Sequence, residues 1–319
     1  MSRPDAFVPV AVTRRSGHDE SVHFGVVVVL GPSGDVEFAA GDPSVAIYPR
    51  SSNKPMQATA MVRAGLSLPP ELLALVSASH DGTPMHVAAA RRILASAGLD
   101  ETALGNTPDL PLDTAAAHAV LRAGGDRAAI TMNCSGKHSG MVATCVINGW
   151  PHDRSYLDPE HPLQQRITAT IAELAGETPS HIGVDGCGAP AHVLSVIGLA
   201  RAFRSIVTGA AGESGRAVHD AVRMHPAMVA GEGDTLTTML RHVPGLLAKD
   251  GADGVFAAAL PDGRAIALKV ADGSARARPA VALAAMEQVG IDTSAFAPLV
   301  RQPILGHGHP VGQVRAVLP

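Results

Sequence analysis

Aromatic residues make up only 3% of this 319-residue chain, with a single tryptophan, two tyrosines and six phenylalanines. A protein that stacks nucleobases has few platforms here. No basic run stands out and the net charge is −4, so the electrostatic footprint of nucleic-acid binding is missing too. Cysteine is scarce: Cys134, Cys145 and Cys187 form an odd, dispersed set with no Cys-x-x-Cys pair. That argues against a disulfide framework and favours free thiols, or a metal site using two of them. Long apolar runs are also lacking. Val26–Leu30 is far too short to span a bilayer, and Met1–Phe7 lacks the apolar stretch of a secretory leader. A soluble, cytoplasmic protein with no membrane or nucleic-acid partner is expected.

What is present is aliphatic. Hydrophobic residues are 46% and charged residues 17%, so alanine, valine and leucine supply a large core. No repeat, low-complexity segment or long Pro/Gly/Ser linker divides the chain, and one catalytic domain over residues 1–319 is expected. Val8–Val12 and the valine-rich Val22–Leu30 read as strands. Gly31-Pro32-Ser33-Gly34-Asp35 is turn chemistry before Val36–Ala39, so residues 22–40 read as a hairpin. Helices are predicted at Pro55–Gly65, Glu71–Ser77, Met85–Ala97, Ala115–Arg122, between Asn133 and Asn148, and at Pro162–Leu174. Further helices are predicted at Pro190–Phe203, Arg216–Met224, Asp234–Leu240 and Ala280–Val289. Strands return at Gly254–Leu260 and Ala265–Val270 around the tight turn Pro261-Asp262-Gly263. No βαβ alternation is visible, which disfavours a doubly wound parallel sheet. The fold class expected is α+β. A mainly antiparallel sheet is built from the two ends of the chain, about 7–45 and 250–319, and flanked by helices from about 55–245.

Four segments gather small and polar residues. Arg50-Ser51-Ser52-Asn53-Lys54-Pro55 sets a hydroxyl and an amine at i and i+3, one helical turn apart. Serine is a weak nucleophile until a base reaches it, and lysine is that base only when its pKa is lowered. The ordinary alternative is a capped helix with a solvated lysine. Pro55 complicates the geometry, because the residue before proline avoids helical angles. Ser77-Ala78-Ser79-His80-Asp81 offers a second hydroxyl in a connecting loop. Asn133-Cys134-Ser135-Gly136-Lys137-His138 and Asp185-Gly186-Cys187-Gly188 each carry a cysteine that is either a small buried hydrophobe or a thiol ligand. Lys269 shares a strand face with Ala265 and Ala267; it is an exposed strand lysine or an amine at the edge of an active-site sheet.

Together these segments resemble the Rhizobium-type L-asparaginase II family, the serine-lysine class of asparaginases. The resemblance also uses His225-Pro226, Val229 to Gly233, and Lys249 with Gly251-Ala252-Asp253. It implies a fold similar to that of serine β-lactamases and glutaminases. It implies two serine-lysine tandems, Ser51 with Lys54 and Ser79 with Lys269, and a Zn2+ site of Cys134, Lys137 and Cys187 that supports substrate binding. Arg50, His138 and Asp185 are candidates to bind the substrate, L-asparagine, and a homodimer is implied. Asp81-Gly82-Thr83 and Gly306-His307-Gly308-His309 depart from the family pattern. The rival reading is a related serine-lysine acylase acting on glutamine or a β-lactam. A β-lactamase would carry a Lys-Thr-Gly strand where this chain reads Leu268-Lys269-Val270-Ala271.

Overall fold

The computed structural model describes residues 3–319. The strands are β1 (Val8–Arg15), β2 (His18–Leu30), β3 (Val36–Ala40), β4 (Ala46–Ile47), β5 (Ile182–Val184), β6 (Pro190–His192), β7 (Leu194–Ser195), β8 (Leu247–Gly251), β9 (Val255–Ala259), β10 (Ala265–Val270), β11 (Pro303–Gly306) and β12 (His309–Ala316). The helices are α1 (Lys54–Arg63), α2 (Pro70–Val76), α3 (Pro84–Ser96), α4 (Thr114–Arg122), α5 (Ser135–Ile147) and α6 (Pro162–Ala175). They continue with α7 (Val196–Val207), α8 (Gly212–Met224), α9 (Pro226–Val229), α10 (Thr235–His242), α11 (Arg278–Gln288) and α12 (Ala297–Val300).

The main sheet is antiparallel in the order β11-β12-β1-β2-β10-β9-β8, with β3 also on β2. Its strands come from the first and last parts of the chain, as the α+β reading expects. β2 is the axis. Gly25–Leu30 pairs with β10, while β1 takes the earlier length of the other edge and β3 the later one. The unbroken run Val26–Leu30 is buried throughout, as are Ala265–Leu268 of β10. Neighbouring strand residues point to opposite faces, so both faces of the sheet are covered here. Helices α7 and α11 pack on these strands. Helix α7 buries Val196, Leu199, Ala200, Phe203 and Ile206. Beyond it, α1 contacts α2, α5 and α6, and α5 contacts α2 and α6.

Two segments differ from the sequence reading. Pro190–Phe203 is not one helix. Pro190–His192 pairs with β5, and α7 begins only after Ser195, whose Oγ accepts the Gly198 N–H at 2.9 Å. That serine cap fixes the helix start six residues later than the proline suggests. Leu247–Gly251 is a strand that the charged Lys249-Asp250 pair hides from a hydropathy pattern.

Candidate active site

The site is assembled where the loop before α1, the loop after α2, the start of α5 and the β5–β6 turn converge. Arg50 stands in the left-handed region, at φ 53°, and opens a single 3-10 turn, Arg50–Asn53. A non-glycine residue there costs about 1–2 kcal/mol, so the surroundings must hold it. They do: the Arg50 Nε donates to Asp185 Oδ1 at 2.9 Å, and a terminal nitrogen donates to Asp253. Ser51 follows, half-buried, and its hydroxyl makes no side-chain hydrogen bond among the described residues.

Pro55 does not push Lys54 out of the helix. Lys54 has φ −60° and ψ −36°, with its N–H donating to the Ser51 carbonyl. The 3-10 turn has already set the direction of the chain, so the proline enters at the second helical position, where its missing N–H costs nothing. The Lys54 side chain is 1% exposed. Its amine donates to Ser79 Oγ at 2.9 Å, to the Ala78 carbonyl, and to Cys134 Sγ at 3.2 Å. Burial lowers its pKa; the Cys134 sulfur opposes the shift, and the positive charges of Lys137 and Lys249 reinforce it. The buried amine is thereby biased toward the neutral, basic form.

Ser79 is held by its own backbone, whose N–H donates to the Val229 carbonyl at 3.0 Å. His80 is buried and kept neutral well below its usual pKa, first by desolvation. Its Nδ1 accepts the Gly82 N–H at 3.0 Å, so Nε2 carries the proton and donates to Ser135 Oγ at 2.9 Å. This ties the Ser79 loop to the first turn of α5. Gly136 lets that turn press on α2: a Cβ at this position would lie 2.5 Å from the Leu75 carbonyl oxygen.

Behind Lys54 lies a sulfur–amine cluster. Lys137 Nζ donates to Cys187 Sγ at 3.1 Å. The neighbouring Cys187 and burial raise the pKa of Cys134, while Cys134, Lys137 and His138 lower that of Cys187. Burial alone would depress Lys137, but the two sulfurs outweigh it and its pKa rises. The two lysines of the site are therefore driven apart, one toward the neutral amine and one toward the ammonium. His138 Nδ1 meets the Tyr156 hydroxyl at 2.6 Å, and that hydroxyl accepts the Gly105 N–H at 3.0 Å. Its Nε2 is buried without a hydrogen-bond partner among the described residues. Two buried soft donors, an amine and an orphaned imidazole nitrogen suit a thiophilic, borderline-soft ion, provided Lys137 gives up its proton.

The serine-lysine pairing differs from the one the sequence implied. Lys54 reaches Ser79, and Lys269 does not pair with Ser79. The Lys269 amine donates to the carbonyls of Asp253 at 2.8 Å and Ala271 at 3.5 Å, and to that of Val270. Its strand face runs off the end of β10, where exposed carbonyls capture it. A further lysine whose charge bears on Lys54 is Lys249, fully buried on β8 and anchored to the Asp250 carbonyl at 3.0 Å and to its carboxylate at 2.5 Å. Arg278 holds the same carboxylate at 2.9 Å. Lys249 lies within the Lys249, Gly251-Ala252-Asp253 segment of the resemblance, which implies no role for it. The signal available was a lysine with an aspartate neighbour in a Leu-Leu-Ala-Lys-Asp-Gly stretch otherwise suited to burial.

A family profile described as L-asparaginase II matches residues 11–316. The class that this fold defines is α+β, an antiparallel sheet flanked by helices. Within it, the chain belongs to the L-asparaginase II family. No curated protein matches the chain. Among solved structures, the chain is similar to the native form of Mglu, at 16% identity and a TM-score of 0.45, over 84% of this chain and 64% of that one. The chain thus spans less than two thirds of Mglu. It is also similar to a β-lactamase (Mb2281c) from Mycobacterium bovis, at 16% identity and a TM-score of 0.40, over 84% of this chain and 95% of that one.

Proposed function

We propose that the protein hydrolyses L-asparagine to L-aspartate and ammonia through a serine acyl-enzyme. The observation that carries this reading is the buried Lys54 amine held 2.9 Å from the Ser79 hydroxyl. Ser51 attacks the side-chain amide carbon, and its proton passes to Lys54, with Ser79 as the relay. Backbone N–H groups at the start of α1 lie at the positive end of its dipole and serve the developing oxyanion. Collapse breaks the C–N bond, and Lys54 returns the proton to the leaving ammonia through Ser79. Water then attacks the ester along the same relay and releases L-aspartate. Arg50, fixed by Asp185, takes the substrate α-carboxylate, and Asp185 with His138 borders the α-amino group. Lys249 replaces Lys269 as the second lysine, acting by its charge on Lys54. The family and the sulfur cluster support the amide substrate more than a β-lactam.

A second reading exchanges the serines, because Ser79 is the hydroxyl that Lys54 already holds. Acid quenching during turnover, followed by peptide mass analysis, separates the two. A mass gain on Ser51, absent from Ser51→Ala, is expected. The same gain on Ser79 in that variant would transfer the nucleophile to Ser79, and release of no ammonia from L-asparagine would remove the substrate.

Zinc at Cys134, Lys137 and Cys187 is part of the proposal; when bound it supplies positive charge beside the substrate. These residues gather the donors, and His138 Nε2 is free to bond to a water there. Metal analysis of purified protein is expected to give about one zinc per chain, falling severalfold in Cys187→Ser. Equal and negligible metal in both proteins would rule the site out. A homodimer in the cytoplasm remains the expected state, checked by sedimentation of the purified protein and by fractionation of cells.

A further inference from the structure

Asp253 sits in the turn between β8 and β9 and takes no part in the chemistry described so far. It stands in the left-handed region at φ 57°, as Arg50 does at φ 53°. The two side chains meet, and the Asp253 carboxylate binds a terminal nitrogen of Arg50. The turn is fixed from beneath. A Cβ at Gly251 would lie 2.5 Å from the Pro49 carbonyl oxygen, and Lys269 Nζ donates to the Asp253 carbonyl at 2.8 Å. The two carboxylates on Arg50 are unequal. Asp185 is 15% exposed and holds Nε, whereas Asp253 is 56% exposed and holds a terminal nitrogen.

A guanidinium binds a carboxylate best through two parallel N–H bonds, which here requires its outer nitrogens. We infer that Asp253 is an internal competitor for the substrate carboxylate: it occupies the outer edge of Arg50 until that carboxylate displaces it, and so sets the affinity of the site. Asp185 is the permanent partner and stays in place. The inference rests on Arg50 being the carboxylate receptor proposed above. Exposed ion pairs are weak, so the competition amounts to about two- to fivefold in affinity. Lys269 acquires a function as well, as the brace that keeps the Asp253 backbone still while its side chain swings.

Asp253→Asn is the informative variant, because asparagine tolerates the left-handed region and keeps the shape of the side chain. KM and kcat for L-asparagine, and calorimetric affinity for L-aspartate, are measured in the wild type, Asp253→Asn and Asp253→Gly. The expected result is a KM lower by about two- to fivefold with kcat unchanged, and tighter L-aspartate binding by the same factor. β-Alaninamide, which lacks the α-carboxylate, should show no gain. An unchanged or higher KM, or an equal gain for both amides, overturns the inference. If the wild type releases no ammonia from L-asparagine, the substrate assignment fails, and the calorimetric comparison alone decides the role of Asp253.

Discussion

At Lys54, burial and neighbouring charge act on one amine. It is 1% exposed and surrounded by a hydroxyl, a carbonyl and a sulfur, with Lys137 and Lys249 as its positive neighbours. Lys54→Met keeps the volume and removes the base. Its kcat for amide hydrolysis is expected to fall by about 10²–10⁴-fold with the melting temperature maintained. Lys269→Met is expected to retain kcat within about threefold, because its amine serves backbone carbonyls; stopped assays of both variants make the comparison. The sequence made Ser51, Lys54, Ser79 and the cysteines legible, since hydroxyl, amine and thiol are rare in small-residue clusters. Their pairing was not legible. The i,i+3 argument treats Ser51 and Lys54 as one helix face, but Ser51 lies in a 3-10 turn and a four-carbon side chain reaches across to another loop.

At the scale of elements, the site depends on α2 and α5 touching. Gly136 permits this contact, and Gly140 lies one turn on, where a Cβ would come within 2.9 Å of the Val76 side chain. Gly136→Ala is expected to cost about 1–3 kcal/mol in denaturant unfolding. Because the new methyl meets a backbone oxygen, α5 must shift, and Cys134 and Lys137 shift with it. Activity should fall further than stability alone explains, as measured by kcat at a temperature well below the melting point. Helices with proline starts were readable to within a few residues, α1, α2, α3 and α6 among them. Short elements were not. β7 owes its state to β4, distant in sequence, and β6 and β8 to the neighbouring strands β5 and β9.

At the scale of the whole molecule, the interior holds many neutral histidines. His80, His86, His138, His192 and His219 all have pKa values lowered, first by desolvation. For His192 the value falls from 6.5 to about 4, and its Nδ1 has no partner among the described residues. The unfolded chain binds protons at these sites more readily than the folded one. Stability is therefore full above about pH 6.5 and is lost as pH falls from there through about 4. His192 alone accounts for on the order of 2–3 kcal/mol over that window. His192→Gln, which can still meet Thr168, is expected to flatten the acid limb of a urea-unfolding series between pH 7 and 4. An unchanged slope would assign the acid loss elsewhere. The α+β class and the sheet from both ends were legible because valine-rich runs and turn chemistry mark those ends. The strand order was not, because register is set by long-range pairing.

That strand order has a consequence during synthesis. β2, with its five consecutive buried apolar residues, emerges early, yet its partner β10 is among the last parts of the chain to be made. A half-built chain therefore carries a valine-rich edge with an open row of hydrogen-bonding groups, and only β1 and β3 to shield one side. Such an edge is a substrate for holdase chaperones and a seed for aggregation, and slower translation of the helical middle lengthens its exposure.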